Sequence, residues 1–275
     1  MQPRLWRTHR AAWFLAVASV WVSVWATATT AQPIPLPRAH SHNDYENERP
    51  LLDALDHGFG SIEADIHLVD GKLLVAHDRD EATPDRTLEA LYLDPLRQRI
   101  RQNSGGVYPD APPVLLLIDI KTEAVATYAV LHDVLRRYAD ILTIFSGDTL
   151  DEGPVTVIIS GNRPRATMAA QSIRYAAYDG RLDDLELHSP ATFIPLVSDN
   201  WSTFGGWLGQ GDPSEDVLKR LEEAVAKAHA QGRKIRFWAT SDNPVVWNVL
   251  YDAGVDLLNA DDLDALRDFL LERDR

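Results

Sequence analysis

From residue 32 onward the chain alternates short apolar runs rich in β-branched residues with longer amphipathic stretches, and this alternation limits the fold more than any other feature. Strands that read as nearly continuous apolar runs are covered on both faces, and parallel strands need helical crossovers to join them. The apolar runs predict strands at residues 37–42, 61–68, 114–120, 155–160, 173–177, 193–197, 234–239 and 255–259. Helices are expected at 49–57, 87–102, 122–138, 165–171, 214–231, 244–253 and 263–272. Asp70-Gly71 followed by a strand at 72–77 reads as a hairpin inserted after the second strand. Eight strands in a chain of this size predict a (β/α)8 TIM barrel. An open doubly wound sheet satisfies the same alternation, and periodicity alone does not choose between the two. Two long stretches, 145–153 and 198–213, read as loops, the second carrying Trp201, Phe204 and Trp207.

The first 31 residues have a different character. Arg4, Arg7 and Arg10 precede an uncharged, mostly apolar segment from Ala11 to Trp25, and small residues follow. This is the pattern of a secretory signal peptide, with Ala26-Thr27-Ala28 or Thr29-Thr30-Ala31 as the cleavage site. The apolar run is shorter than the ~20 residues a spanning helix wants, so a retained membrane anchor fits less well. The expectation is a signal peptide at 1–31, a single catalytic domain at 32–275, and an exported protein without a stable membrane anchor.

The chain holds 27 Lys and Arg against 41 Asp and Glu, a formal charge of -14. Removing the three leader Arg takes this to -17. Such a balance supplies no basic face for nucleic acid and disfavours polyanionic partners. There is no cysteine, which excludes disulfides, thiolate metal sites and a cysteine nucleophile.

In a parallel barrel the catalytic groups gather at the C-terminal ends of the strands. The first predicted strand ends in His40-Ser41-His42-Asn43-Asp44-Tyr45, the second carries Glu63, Asp65 and His67, the hairpin ends at His77-Asp78, and the third ends in Asp119 and Lys121. Glu63 and Asp65 lie two apart, so their carboxylates share a face of the strand, as do Asp119 and Lys121. Carboxylates crowded on one rim repel one another unless a cation neutralises them. An all-oxygen donor set favours Ca2+ or Mg2+ over zinc. A hard cation beside two imidazoles and a lysine suits displacement at phosphorus, with one His removing a proton and the other supplying one. His40 reads as a barrel-filling residue, and His57 and His188 as surface or helix positions.

The segments "SHNDYEN", "SIEADIHLVDGKLLVAHD" and "LLLIDIKTE" together resemble the phospholipase-C-like phosphodiesterase superfamily. That group includes phosphatidylinositol phospholipases C, glycerophosphodiester phosphodiesterases and sphingomyelinases D, and the nearest subgroup is the one similar to altered inheritance of mitochondria 6. The tail "FWATSDNPVVWNVLYDAGVDLLNADD" extends the resemblance over most of residues 32–275. The resemblance implies a TIM barrel, a divalent metal and two catalytic histidines, His42 and His77. It further implies Asn43, Glu63, Asp65 and Asp119 as metal ligands, Lys121 and Trp238 as substrate contacts, and a polar substrate contact near Asp261.

The departures from the family pattern matter too. The His-Arg-Gly of glycerophosphodiesterases is missing after the first strand, and so is the cysteine pair of sphingomyelinases D, which leaves the headgroup open. Asn162, Arg163, Asp179 and Arg181 fall on the same rim, where Arg163 or Arg181 would bind a second anionic group or serve as a helix-start or surface residue. Trp201 and Trp207 read as pocket covers, lipid contacts or packing residues. The reading that results is an exported metal-dependent phosphoric diester hydrolase for glycerophosphodiester or phospholipid-like substrates. Overall charge favours choline- or ethanolamine-bearing ones. The alternatives are a metal-independent glycoside hydrolase on the same barrel and a phosphodiester- or lipid-binding module without turnover.

Overall fold

The run Val114–Ile120 is apolar at every position but Asp119 because both of its faces are covered. Leu116, Ile118 and Ile120 join a core shared with Tyr128, Leu131 and Leu135, while Leu117 lies in a separate cluster with Phe145, Ile158, Ala177, Leu196 and Leu257. One face therefore meets a helical layer and the other fills a barrel. The computed structural model describes residues 32–275, and the expected leader lies outside the described residues.

The strands are β1 (Leu36–Ser41), β2 (Phe59–Val69), β3 (Lys72–Val75), β4 (Val114–Ile120), β5 (Ile144–Ser146), β6 (Thr149–Asp151), β7 (Val155–Gly161), β8 (Ile173–Arg174), β9 (Ala177–Gly180), β10 (Leu196–Asn200), β11 (Lys234–Trp238) and β12 (Leu258–Ala260). The helices are α1 (Leu52–Asp56), α2 (Asp94–Gln102), α3 (Ala124–Arg136), α4 (Arg165–Ala169), α5 (Glu215–Ala230), α6 (Pro244–Asp252) and α7 (Leu263–Arg273). Eight strands run parallel in the order β11-β10-β9-β7-β4-β2-β1-β12. A parallel bridge between Arg236 and Leu257 joins the two ends. The ring is the expected TIM barrel, with the β2–β3 hairpin attached to its second strand.

Two residues along a strand return the side chain to the same face. From the apolar cluster, that step leads from Leu117 to Asp119, from Ile158 to Ser160, from Ala177 to Asp179 and from Leu196 to Ser198. The barrel interior is thus apolar toward its N-terminal end and polar toward its C-terminal end. Asp119 pairs in register with Asp65 on one side and with Ser160 on the other. Buried Asp179 is satisfied by Ser160 Oγ at 2.8 Å, Ser198 Oγ at 2.7 Å and Arg181 Nη1 at 2.8 Å.

Four expectations change. The sixth barrel strand is β10, Leu196–Asn200, three residues later than the predicted 193–197, and it takes the start of the expected 198–213 loop. The fifth barrel strand is β9, later than the predicted 173–177, since residues 173–174 pair instead with β5. The 145–153 stretch forms part of the hairpin β5–β6, which with β8 makes a small separate sheet. The 87–102 helix opens with a wide π-type segment, Glu89–Leu93. In the 198–213 stretch, Trp201 is fully buried, stacked on Phe204 at 5.6 Å between centroids and edge-on to Phe237 at 5.5 Å. Its Nε1 donates to Trp207 O at 2.6 Å, so Trp201 packs the loop onto the barrel and does not cover the mouth. Among the described residues no helix is long and apolar enough to cross a membrane. Trp201→Ala is expected to cost about 3–5 kcal/mol in chemical denaturation, the range for emptying a large aromatic site. A cost near zero would contradict the packing role.

Candidate active site

The loop after β1 is fixed by its own polar residues. Buried Asp44 accepts bonds from Ser41 Oγ at 2.8 Å and from the Tyr92 hydroxyl at 3.0 Å. Asn43, just before it, takes the left-handed conformation (φ 45°) that asparagine tolerates better than most residues. This turn places His42, Asn43 and Tyr45 beside the ends of β2 and β3.

Glu63, Asp65 and Asp119 converge, each offering an oxygen within 4.8 Å of the others. Their oxygens divide into two sets. Glu63 Oε2 accepts from Arg236 Nη2 at 2.8 Å and faces His40 Nε2 at 3.1 Å. Asp65 Oδ2 accepts from the Tyr45 hydroxyl at 2.7 Å and pairs with Lys121 Nζ at 3.0 Å, and Asp119 Oδ1 lies 3.3 Å from the same ammonium. The second oxygen of each acid has no protein partner among the described residues, and for Asp65 that atom, Oδ1, is buried. An unpartnered buried carboxylate oxygen beside two others suits a bound cation, so the residues present fit a divalent ion with oxygen ligands. Asn43 Oδ1 lies 2.8 Å from the Tyr45 hydroxyl, an alternative to Asp65 as acceptor of its one hydrogen, and a free lone pair on Asn43 Oδ1 completes the possible donor set.

The charges of the site show in its pKa values. Burial alone would raise Glu63, but the Arg236 guanidinium and the His40 contact outweigh it and hold the carboxyl far below the usual range. Burial, together with the Glu63 charge, pushes Asp65 upward, and burial also raises Asp119 against the pull of Lys121. For Lys121, burial is outweighed by Asp119 and Asp65, and its value rises. His40, fully buried beside Arg236 and tied to Ser61 Oγ at 2.7 Å, is lowered to about 3 and stays neutral.

The two expected catalytic histidines stand on either side of the acids. His42 Nδ1 meets Asp261 Oδ1 at 2.8 Å. His77 Nδ1 meets the Tyr45 hydroxyl at 3.0 Å and Asp65 Oδ2 at 3.4 Å. Each ring thereby commits Nδ1 to an acceptor and keeps Nε2 for another partner. Burial works against a charged His42, but the Asp261 bond and the Glu63 charge prevail and raise its pKa.

Lys121 and Arg163 line one open cleft of about 650 Å³ together with Asn162 and Tyr178. Arg163 lies over the Tyr178 ring at 4.9 Å. Trp238, half-buried at the end of β11, carries the Arg181 guanidinium at 4.6 Å.

Tyr45, Arg236 and the orienting role of Asp261 were not anticipated from sequence. Arg236 had a signal, because a charged residue between Ile235 and Phe237 in an apolar strand must face inward and find a partner there. Asp261, expected near a polar substrate contact, meets His42 Nδ1. Tyr45 carried no signal separable from the rest of its motif.

Comparisons with known proteins give the family and agree on the fold. Residues 27–179 match the AIM6-like phosphodiesterase domain. Altered inheritance of mitochondria protein 6 of Eremothecium gossypii is 33% identical, the match covering 89% of this chain and 72% of that one. The homolog from Arthroderma benhamiae is 31% identical over 88% of this chain and 86% of its own. Among solved structures, a glycerophosphodiester phosphodiesterase from Parabacteroides distasonis superposes with a TM-score of 0.53 at 15% identity, covering 86% of this chain and 98% of that one. A Ca2+-dependent phosphatidylinositol-specific phospholipase C from Streptomyces antibioticus does so with a TM-score of 0.53 at 12% identity, covering 84% and 94%. The likeness to these two is one of fold. With the domain match and the curated relatives covering most of its length, the chain belongs to the AIM6-like phosphodiesterase family.

Proposed function

We propose that this protein is a metal-dependent phosphoric diester hydrolase acting on glycerophosphodiester or phospholipid-like substrates, exported by its N-terminal leader. The observation that carries the reading is the buried, unpartnered Asp65 Oδ1 inside a triad of acids flanked by two histidines whose Nε2 atoms are uncommitted. The Ca2+ dependence of the Streptomyces enzyme with the same fold supports a hard cation here.

Glu63, Asp65 and Asp119, with Asn43, would hold the ion. Three acids against Lys121 and Arg236 leave about one negative charge, and a divalent ion turns the site positive, as a phosphodiester requires. When bound, the ion supplies Lewis-acid stabilisation of charge on a phosphoryl oxygen. Lys121 shares that charge, and Arg163 and Trp238 contact the substrate beyond the phosphate. Asp261 holds His42 oriented and favours its protonated form, the form that delivers a proton to a leaving oxygen. Tyr45 accepts the His77 Nδ1 proton when its own hydrogen goes to Asp65 or Asn43. That leaves a lone pair on His77 Nε2 to take the proton of the attacking hydroxyl.

Asp65 links the site to stability. Its folded pKa lies above the unfolded value, so its contribution favours the fold at acid pH and is lost as pH rises through the raised value. Without added metal, Asp65→Asn is therefore expected to melt a few degrees higher than the unaltered protein at neutral pH. Saturating Ca2+ or Mg2+ should raise the melting temperature of the unaltered protein by on the order of 5–10 °C, since ligand at a hundredfold excess over Kd contributes about 2.7 kcal/mol. The variant should gain nothing, and an equal gain in both proteins would place the ion elsewhere.

Bis(p-nitrophenyl) phosphate and glycerophosphocholine test the chemistry. Turnover should vanish with EDTA and return with Ca2+ or Mg2+, and His42→Ala or His77→Ala should lower kcat by about 10²–10⁴-fold. Turnover resistant to EDTA, or untouched by both substitutions, would contradict the assignment.

A further inference from the structure

The cleft that Lys121 lines is walled further by Asn162, Arg163 and Tyr178, and this wall has chemistry that the hydrolytic steps do not use. Asn162 Nδ2 donates to Lys121 O at 3.2 Å and to Thr122 O at 3.0 Å, tying the loop after β7 to the loop after β4. The next residue, Arg163, is half-buried, and its Nη1 donates to Gly161 O at 3.2 Å while its Nε is buried with no partner. No carboxylate of the described residues forms an ion pair with it, although acids outnumber bases heavily in this chain. Glu123, the one acid lining the cleft, is committed elsewhere: its two oxygens accept the Val125 N–H at 3.0 Å and the Ala126 N–H at 2.7 Å at the start of α3.

The aromatic faces nearby give the complementary observation. A quaternary ammonium is recognised by open aromatic faces. At this mouth Tyr178 lies under Arg163 and Trp238 lies under Arg181, so each ring already carries a guanidinium. Trp201 is fully buried and offers no face at all. Arg181 is also anchored, its Nη1 donating to Asp179 Oδ2 and Gly180 O, both at 2.8 Å, and to Ser198 O at 3.3 Å. The total charge of the chain favours a cationic headgroup, but local charge and geometry decide what a subsite binds.

Resting on the hydrolase reading above, we propose that the cleft lined by Lys121, Asn162 and Arg163 binds a second anionic group of the substrate. The preferred substrate is then a phosphodiester bearing a phosphomonoester or a carboxylate on one arm, and not a choline or ethanolamine diester. Lys121 touches both the reacting phosphate region and this cleft, so the two anionic groups sit on opposite sides of one ammonium. Arg163 is the group that distinguishes the arms, because a planar guanidinium without a carboxylate partner has donors to give to an oxyanion.

The test is equilibrium binding by calorimetry to the His42→Ala protein with metal present, so that no probe is consumed. The probes are glycerophosphoglycerol, its terminal phosphate ester, glycerophosphoglycolate and glycerophosphocholine. The phosphate ester or the glycolate should bind at least about tenfold more tightly than glycerophosphoglycerol, the worth of about 1.4 kcal/mol. Which of the two binds more tightly identifies the anionic group. Arg163→Gln should remove the difference, while Arg163→Lys should keep part of it. Equal affinity for all four probes, tighter binding of glycerophosphocholine, an advantage that survives Arg163→Gln, or no binding of any probe would each overturn the proposal. Turnover of bis(p-nitrophenyl) phosphate by the unaltered protein reads the hydrolase assignment separately, since that diester has no second anionic group.

Discussion

Three carboxylates at the end of one barrel repel one another, and the C-terminal half of the barrel is arranged around that repulsion. Arg236 reaches across the barrel to one oxygen of Glu63, and Lys121 stands between Asp65 and Asp119. Two internal cations still leave the triad short of neutral, and the imbalance falls on Asp65, whose ionised form burial disfavours. The hydrogen bonds and ion pairs to the triad all use one oxygen of each acid, and they leave Asp65 Oδ1 buried without a partner. The backbone keeps that arrangement too. A Cβ on Gly161, whose φ is +65°, would lie 2.1 Å from Asp119 Oδ1, so the turn after β7 is closed by the one residue that leaves room for the carboxylate.

The same constraint links the metal site to the proton-transfer groups. The Tyr45 hydroxyl touches Asn43, Asp65 and His77, but it has one hydrogen to give, so the state of one neighbour influences what it offers the others. Asp261 holds His42 from the end of the neighbouring strand β12, and its own backbone N–H donates to Asp242 at 2.9 Å. Asp65, Asp119, Lys121, Asn43, Tyr45 and His77 thus form one connected polar network, with Glu63, Arg236 and His40 in a second and His42 with Asp261 in a third, and such networks are stable only when their members are satisfied together.

Much of this was legible in the sequence, for identifiable reasons. Strands such as Val114–Ile120 announced themselves because both faces are buried, and alternation within them placed Glu63 with Asp65 and Asp119 near Lys121. The fifth strand was displaced because Ala177–Gly180 buries an aspartate that Ser160 of β7 and Ser198 of β10 help make tolerable beside the neighbouring Arg181, and no local pattern reveals the two distant serines. The β5–β6 hairpin was read as a loop since its outer strand, Thr149–Asp151, is wholly exposed and lacks alternation. Trp201 was open to several readings because an aromatic in a long loop looks alike whether it covers a pocket or packs beneath it. Side-chain contacts across the barrel, as between Arg236 and Glu63, exist only once the ring has closed.

The central claim is that Glu63, Asp65 and Asp119 hold one divalent cation through the oxygens the protein leaves unpartnered. Anomalous diffraction from crystals of this protein grown in Mn2+ would test it most directly. The account predicts a single strong peak at coordination distance, about 2.0–2.6 Å for a hard cation, from Glu63 Oε1, Asp65 Oδ1 and Asp119 Oδ2. An empty site, or a peak held by other residues while Lys121 and Arg236 alone balance the triad, would contradict it.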